Sequence, residues 1–484
     1  MKKEVIDREY VEGELKKYKF PGMGIGVIKD GKVLFSGGFG LADIEAGVPI
    51  SGDTQFAIAS CSKAFTATLL GMLQDEGVLE LERPVREYLP DFEMYDPVAT
   101  AQCTLKDMLT HRTGLGGYDA LWSDDLTRED LWKRLKYLKP NKPFRSAVQY
   151  SNLIYAMAGH VAEKVTGESW DKLIKEKIFM PLGMTNSNTS ITEMLKSGSF
   201  ASPYWQGEDG PFRVENWNVD LGGPAAAINS TINDMLKWLQ FNIDRGQWAG
   251  KQLISQAAME EIHLAHVRYK LWKWDFDEAP PIAGYGMGWY NDVYKGHPLY
   301  FHIGEIEGYC SMQMVLPREK LGIVCFNNVH KPCILAQASV AYTIIDNVLE
   351  LGESNWSERF FEQRDNYGYL LEDWNLDLVG NERVNGTELS HSIDCYEGRY
   401  YNPGHGTIDI MEKDGRLKCI YRGVQQDMEH YHYDVFRVPH IKMDTLLITA
   451  PLAFRTDPKS GAIDRFEFGL YEQVEPIVFK RINS

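Results

Sequence analysis

Long apolar runs are missing from this chain: no stretch is long enough to cross a membrane, and Met1 to Tyr10 carries two lysines without the apolar core of a signal peptide. The expectation is a cytoplasmic protein. Cationic residues are in deficit, with 51 Lys and Arg against 68 Asp and Glu and a formal charge of −17 spread along the chain. That balance excludes nucleic acid and anionic membranes as partners. Cysteine is sparse: seven residues form no CxxC pair and are odd in number, which reads as reduced thiols. No cluster of His, Cys and carboxylates has metal-ligand spacing. Gly37-Gly38-Phe39-Gly40 falls in a predicted hairpin instead of ahead of a helix, so it is no phosphate loop. Neither a metal nor a cofactor is expected, and internal repeats and low-complexity tracts are absent.

What is present is enough apolar residue, 44% of 484, to bury more than one core. Gly24 to Ile28 and Val33 to Phe39 flank Lys29-Asp30-Gly31-Lys32, an Asp-Gly hairpin signal. A helix-rich stretch runs from Ser62 to about Phe241. Strand patterns return at Gly286 to Tyr290, Tyr300 to Gly304, Ser311 to Leu316 and Leu321 to Asn327, followed by helix formers from Ile334 to Leu351. Strands at both ends with helices between predict an α+β fold whose terminal strands share one sheet. Residues 352–390 are polar, like a linker or connecting helix. From Tyr396 short β-like runs recur at Gly398 to Tyr401, Gly406 to Met411, Leu417 to Tyr421, Tyr431 to Val438, Thr445 to Thr449, Ile463 to Gly469 and Ile477 to Arg481, which predicts a small antiparallel barrel or sandwich.

The chemistry concentrates in Ser60-Cys61-Ser62-Lys63. Apolar residues at Phe65, Leu69, Leu70, Met72 and Leu73 mark a helix that stops near Gly77. Residues three apart share a helix face, so Lys63 can reach the Ser60 hydroxyl, whereas Cys61 points away from it. Alone, the spacing also describes a capping serine followed by a solvated lysine. Tyr150-Ser151-Asn152 follows Lys142-Pro143-Phe144-Arg145 at a loop-to-helix junction, from which both Tyr150 and Asn152 can project into one cleft. His302-Ile303-Gly304 lies in a strand, where alternation puts His302 and Gly304 on one face and Gly304 permits close approach.

In this order and at these separations the three motifs resemble the serine β-lactamase and penicillin-binding-protein superfamily, and within it the class C, CubicO-like branch. Thr104 to Leu115 and Gly222 to Thr231 are similar to further segments of that family, and the resemblance spans roughly residues 10–350. It implies a β-lactamase-like catalytic domain over 1–351, an antiparallel sheet flanked by helices plus an all-helical region. The strands beyond the 352–390 linker then resemble the lipocalin-like module, 391–484, found on some CubicO-type hydrolases. It also implies Ser60 as a nucleophile forming an acyl-enzyme, and an oxyanion hole made of the N–H groups of Ser60 and Glu305, worth a hundredfold or more in rate. Asn152 would hold an amide of the acyl group, and His302 would border the cleft and help order Lys63 and Tyr150. Amines and phenols ordinarily titrate near pH 10, so Lys63 or Tyr150 must be shifted to act as base, and the residues leave that choice open.

Two departures bear on substrate. The family's β-lactamases carry Lys-Thr-Gly where this chain has His302-Ile303-Gly304, so a fixed cation for a β-lactam or peptide carboxylate is missing there. Histidine at that site resembles D-aminopeptidases and several esterases. Glu305-Ile306-Glu307 places two carboxylates beside the expected oxyanion donor, suited to an amine unless both turn to solvent. The expected activity is a serine hydrolase of amide or ester bonds in D-amino-acid peptides or small esters. The alternatives are acyl transfer or peptide cyclisation through the same intermediate, β-lactamase or penicillin-binding activity, and a non-catalytic scaffold. A small-molecule or peptide substrate is expected, and a homo-oligomer is left open.

Overall fold

The computed structural model describes residues 4–122, 126–207, 209–269, 283–330, 333–352, 354–362, 375–379, 382–443, 446–471 and 474–482. Its first part is built on a nine-stranded antiparallel sheet. In spatial order the strands are Val267–Arg268, Gly284–Tyr285, Tyr290–Tyr294, His297–Ile306, Tyr309–Leu316, Leu321–Asn327, Gly22–Lys29, Lys32–Asp43 and Val48–Pro49. The Asp30-Gly31 hairpin forms as expected, both residues at positive φ and Lys29 opposite Lys32. Gly22–Lys29 pairs with Leu321–Asn327, Met23 opposite Asn327, so strands from the two ends of this region meet at the sheet's middle.

That middle is covered on both faces. Alternate residues of Leu321–Asn327 enter separate cores: Ile323 and Cys325 pack beneath helices Arg8–Tyr18 and Cys333–Leu349, and Val324 and Phe326 pack with helix Ile232–Ile243. Two-sided burial explains why this strand reads as an unbroken apolar run. Helix Ser62–Asp75 is buried on every side from Ser62 through Leu73, mostly through apolar residues. Phe65 stacks on Trp238 with ring centroids 3.8 Å apart, and helices Asn152–Thr166 and Gln256–His263 pack against the same helix. Each such buried Leu or Phe contributes about 1.5–3 kcal/mol, and together they fix the turn that precedes the helix.

The C-terminal region is a nearly closed, barrel-shaped antiparallel sheet of nine strands. Their order is Val424–Asp427, Arg416–Tyr421, Gly406–Lys413, Gly398–Asn402, Ile477–Ile482, Ile463–Phe468, Leu446–Thr456, Val435–Met443 and Glu429–His432, with Asn375–Asp377 added parallel to Leu446–Thr456. Tyr400, Phe454, Phe466 and Phe479 fill its interior. The two regions meet at Tyr118, Arg134 and Lys139. Tyr118 lies against Tyr471 and His405 at 4.9 and 5.7 Å between ring centroids, Arg134 donates to the Gly404 carbonyl at 3.4 Å, and Lys139 pairs with Glu475 at 2.9 Å.

Several expectations need correction. The strand read at Gly286 to Tyr290 is instead a turn, with Gly288 at φ 77°, and pairing resumes at Tyr290–Tyr294. The run Tyr431 to Val438 is broken by Tyr433 at φ 46° into two strands, and Val424–Asp427 is a strand that the pattern missed. Cys310 and Cys333 are joined in a disulfide with Cα atoms 6.2 Å apart, contrary to the all-reduced reading. Their 23-residue separation leaves no motif in the sequence; the start of helix Cys333–Leu349 packs on strand Tyr309–Leu316 and brings them together. Within the expected linker, helix Trp356–Glu362 packs Trp356 and Phe360 on Tyr342, while residues 363–374 lie outside the described residues. No described helix is long and apolar enough to cross a membrane.

Candidate active site

Ser60 occupies a 3-10 turn, Ala59–Cys61, that runs directly into helix Ser62–Asp75. Ala59 adopts φ 45°, a left-handed conformation that L residues rarely hold and that persists only where surroundings enforce it. Here they do: the Ile58 N–H donates to the Ile228 carbonyl at 2.9 Å, and the Ile58 carbonyl accepts from Ser311 Oγ at 2.6 Å and the Cys61 N–H at 3.1 Å. Strand His297–Ile306 closes the other side. A Cβ at Gly304 would lie 2.2 Å from the Ile58 carbonyl oxygen and 2.9 Å from the Ser60 nitrogen, so glycine is what lets the strand reach the serine.

Lys63 is buried, and its Nζ lies 2.9 Å from Ser60 Oγ, 2.7 Å from Asn152 Oδ1 and 3.0 Å from the Ala225 carbonyl oxygen. Two of these three partners can only accept. Nζ donates to all three, a set that the three protons of an ammonium satisfy; a neutral amine giving its two protons to Asn152 and Ala225 would turn its lone pair to the Ser60 hydroxyl. Tyr150 presents its ring to the same amine, with Nζ 4.8 Å from the centroid. Its loop is held by His111, whose carbonyl accepts from the Gln149 N–H at 2.8 Å and whose Nδ1 accepts from the Ser151 N–H at 3.2 Å. Arg145, ahead of this loop, makes two bonds to the buried Asp107 carboxylate at 2.9 and 2.6 Å. Cys61 is turned away, its buried thiol against the His302 carbonyl and Ser311 and pushed up to about 12 by burial.

Ser60, Asn152 and Glu305 line a cavity of about 620 Å³, whereas Lys63, Tyr150, His302 and Gly304 are not among its lining residues. His302 is buried behind the site. Its Nδ1 donates to the Ile303 carbonyl at 2.6 Å and its Nε2 accepts from Tyr285 Oη at 3.2 Å, while burial and the nearby Lys63 push its pKa down to about 3. It is therefore a neutral ring packed 6.5 Å from Tyr150, centroid to centroid. Three contributors escaped the sequence reading. His111 sits two residues past the end of the short helix Leu105–Leu109. Asp119 follows the glycine pair Gly116-Gly117; its buried carboxyl accepts from Trp122 Nε1 at 3.1 Å and Asn152 Nδ2 at 3.3 Å, and burial raises its pKa. The third is a segment of the barrel, Cys419 and Tyr421 to Val424, which lines the same cavity. Among the described residues, the one trio with metal-ligand proximity is Glu305, Cys310 and Cys333, whose sulfurs are joined to each other.

Burial also sets an acid limit. His302, His263 and His405 are pushed down to about 3 and His111 well below its ordinary range, in each case chiefly by burial. A depressed folded-state pKa stabilises the fold above the unfolded value near 6.5 and loses that contribution as pH falls toward the folded value. Each histidine removes up to about 1.4 kcal/mol for every pH unit below 6.5. Thermal melts followed by circular dichroism should therefore fall steeply from pH 6.5 to 4.5, before most carboxylates titrate; a flat melting temperature across that window contradicts this assignment.

The site thus brings together a half-buried serine on a clamped turn, a buried lysine on its hydroxyl and a strand of the sheet beside it, within a β-lactamase-like fold. The comparisons agree. The family model described as Beta-lactamase matches residues 8–333, and the chain belongs to that family; a domain of unknown function, DUF3471, matches 382–481. The unguisins hydrolase of Aspergillus violaceofuscus (strain CBS 115571) is 26% identical over 446 residues, covering 85% of this chain and 77% of that protein. The octameric penicillin-binding protein homologue from Pyrococcus abyssi superposes with a TM-score of 0.61 at 21% identity over 98% of this chain and all of that one. The class C β-lactamase of Rhodobacter sphaeroides gives 0.58 at 23% over 70% of this chain and 98% of that one. Both structures share the fold.

Proposed function

We propose that this protein cleaves amide or ester bonds of a peptide or small-molecule substrate through an acyl-enzyme on Ser60. The observation that carries the proposal is the Lys63 amine, 2.9 Å from Ser60 Oγ and also bonded to Asn152 Oδ1 and the Ala225 carbonyl. In this reading Lys63, with Tyr150 beside it, takes the hydroxyl proton as Ser60 attacks the carbonyl, then returns it to the leaving group. The N–H groups of Ser60 and Glu305 receive the developing oxyanion, and Asn152, already oriented by Lys63 and Asp119, meets the acyl amide. His302 and Gly304 act from behind, the first as neutral packing for the Tyr150 side and the second by admitting the strand. The hydrolase named for unguisins supports the hydrolytic reading. Acyl transfer or cyclisation is the second reading, favoured by barrel residues that wall the cavity beside Ser60. The octameric state of the Pyrococcus abyssi homologue favours a homo-oligomer.

The bond type is settled by turnover of p-nitrophenyl butyrate against D- and L-alanine p-nitroanilide. Cleavage of the D-anilide well above the L-anilide is the outcome expected of a D-amino-acid peptidase. Ester cleavage with both anilides inert would reassign the enzyme as an esterase or transferase.

A further inference from the structure

Arg422 stands at the tip of a two-residue hairpin in the C-terminal barrel. Tyr421 and Val424 pair across the loop, and the central residues Arg422 and Gly423 both hold positive φ, 53° and 75°. Such a turn ordinarily takes Asn, Asp or Gly at its first position, so an arginine there keeps a conformation that its side chain disfavours. The hairpin tip lines the Ser60 cavity, where Arg422 is the one cationic side chain among the described lining residues. Its Nη1 and Nη2 are buried and make no full hydrogen bond; the adjacent Tyr421 side chain is what they meet, and no carboxylate pairs with the guanidinium among the described residues. The Tyr421 ring lies 4.9 Å from the guanidinium carbon. A desolvated, unpaired cation is costly in a folded protein unless something occupies it.

Taking Ser60 acyl-enzyme chemistry as the basis, we infer that Arg422 is the anchor for a free carboxylate carried on the acyl side of the substrate. A planar fork with two unsatisfied donors matches a carboxylate bidentately. The side of the cavity follows from the neighbours: Arg422 acts electrostatically on Tyr471 and His405, both of which pack on Tyr118, next to Asp119 and hence to Asn152. Meanwhile the strand side of the site offers no cation, because His302 is neutral. The charge that the His302-Ile303-Gly304 motif lacks thus enters from the other domain and on the other side of the scissile bond. The substrate class is an acyl donor ending in a carboxylate, such as an acidic peptide side chain or a dicarboxylic half-amide or half-ester.

The test uses mono-p-nitrophenyl glutarate, which ends in a carboxylate, and its neutral methyl ester. Binding is read by titration calorimetry on Ser60→Ala, so that it does not depend on turnover, and kcat/KM is read on wild type. The free acid should be favoured over the methyl ester by about tenfold to a hundredfold in both measurements. Adding Arg422→Gln should bring the ratio close to one, with Arg422→Lys between; circular dichroism melts check that each variant is folded. Equal binding of the two esters by Ser60→Ala, or a preference that survives Arg422→Gln, would overturn the inference. Hydrolysis that persists in Ser60→Ala would instead sink the acyl-enzyme reading, and the binding ratio would still report on Arg422.

Discussion

Ser60→Ala should lower kcat/KM for any substrate of this protein by about 10⁴-fold or more, the scale on which nucleophile loss acts when the rest of a serine site is intact. Stability should hardly change. Ser60 is half-buried, and the turn that carries it is held by backbone bonds at Ile58 and Cys61 and by Ser311, none of which involves the serine hydroxyl. Turnover of p-nitrophenyl butyrate alongside a thermal melt checks both halves. A variant that melts like wild type and retains a tenth of its activity would exclude Ser60 as nucleophile.

The second large effect comes from adding one methyl group. In Gly304→Ala the new carbon meets the Ile58 carbonyl oxygen at 2.2 Å, Ser311 Oγ at 2.5 Å and the Ser60 nitrogen at 2.9 Å. Two of these are backbone atoms of the clamped turn and cannot swing aside. Either the strand or the turn must retreat, which separates Ser60 from Glu305 and spreads the two N–H groups proposed to hold the oxyanion. Misplacement of about 1 Å costs about a hundredfold in rate, and overpacking costs about 1–3 kcal/mol in stability. A loss of a hundredfold or more in kcat, with a melting temperature several degrees lower, is the expected result. Full activity in Gly304→Ala would mean that the strand does not approach the nucleophile as described.

Legibility in the sequence followed the range of the interaction. Ser60 and Lys63 were readable because one helical turn connects them, and the Asp30-Gly31 hairpin because its turn chemistry is local. Leu321–Asn327 was readable with its bounds because apolar residues fill both of its faces. Gly286 to Tyr290 misled because alternating glycines among aromatics imitate a strand, while the chain actually turns at Gly288. Tyr431 to Val438 misled because a tyrosine, not a glycine, takes the positive φ that breaks it. His111, Asp119 and Arg422 were out of reach for a different reason. Each lies in a loop or turn, and its place in the site depends on contacts with residues distant in sequence: His111 with Ser151 across 40 positions, Asp119 with Asn152 across 33, Arg422 with a cavity that the barrel shares with Ser60 and Asn152. His302 was found by motif, but its position behind the site, bonded to Tyr285, depended on packing that no local pattern encodes.

The most direct test of the account is intact-protein mass spectrometry after brief exposure to p-nitrophenyl butyrate at low pH quench, followed by peptide mapping. The account predicts a single added butyryl group on the peptide that contains Ser60, absent from Ser60→Ala. A butyryl group on another residue, or the same adduct in Ser60→Ala, would contradict it.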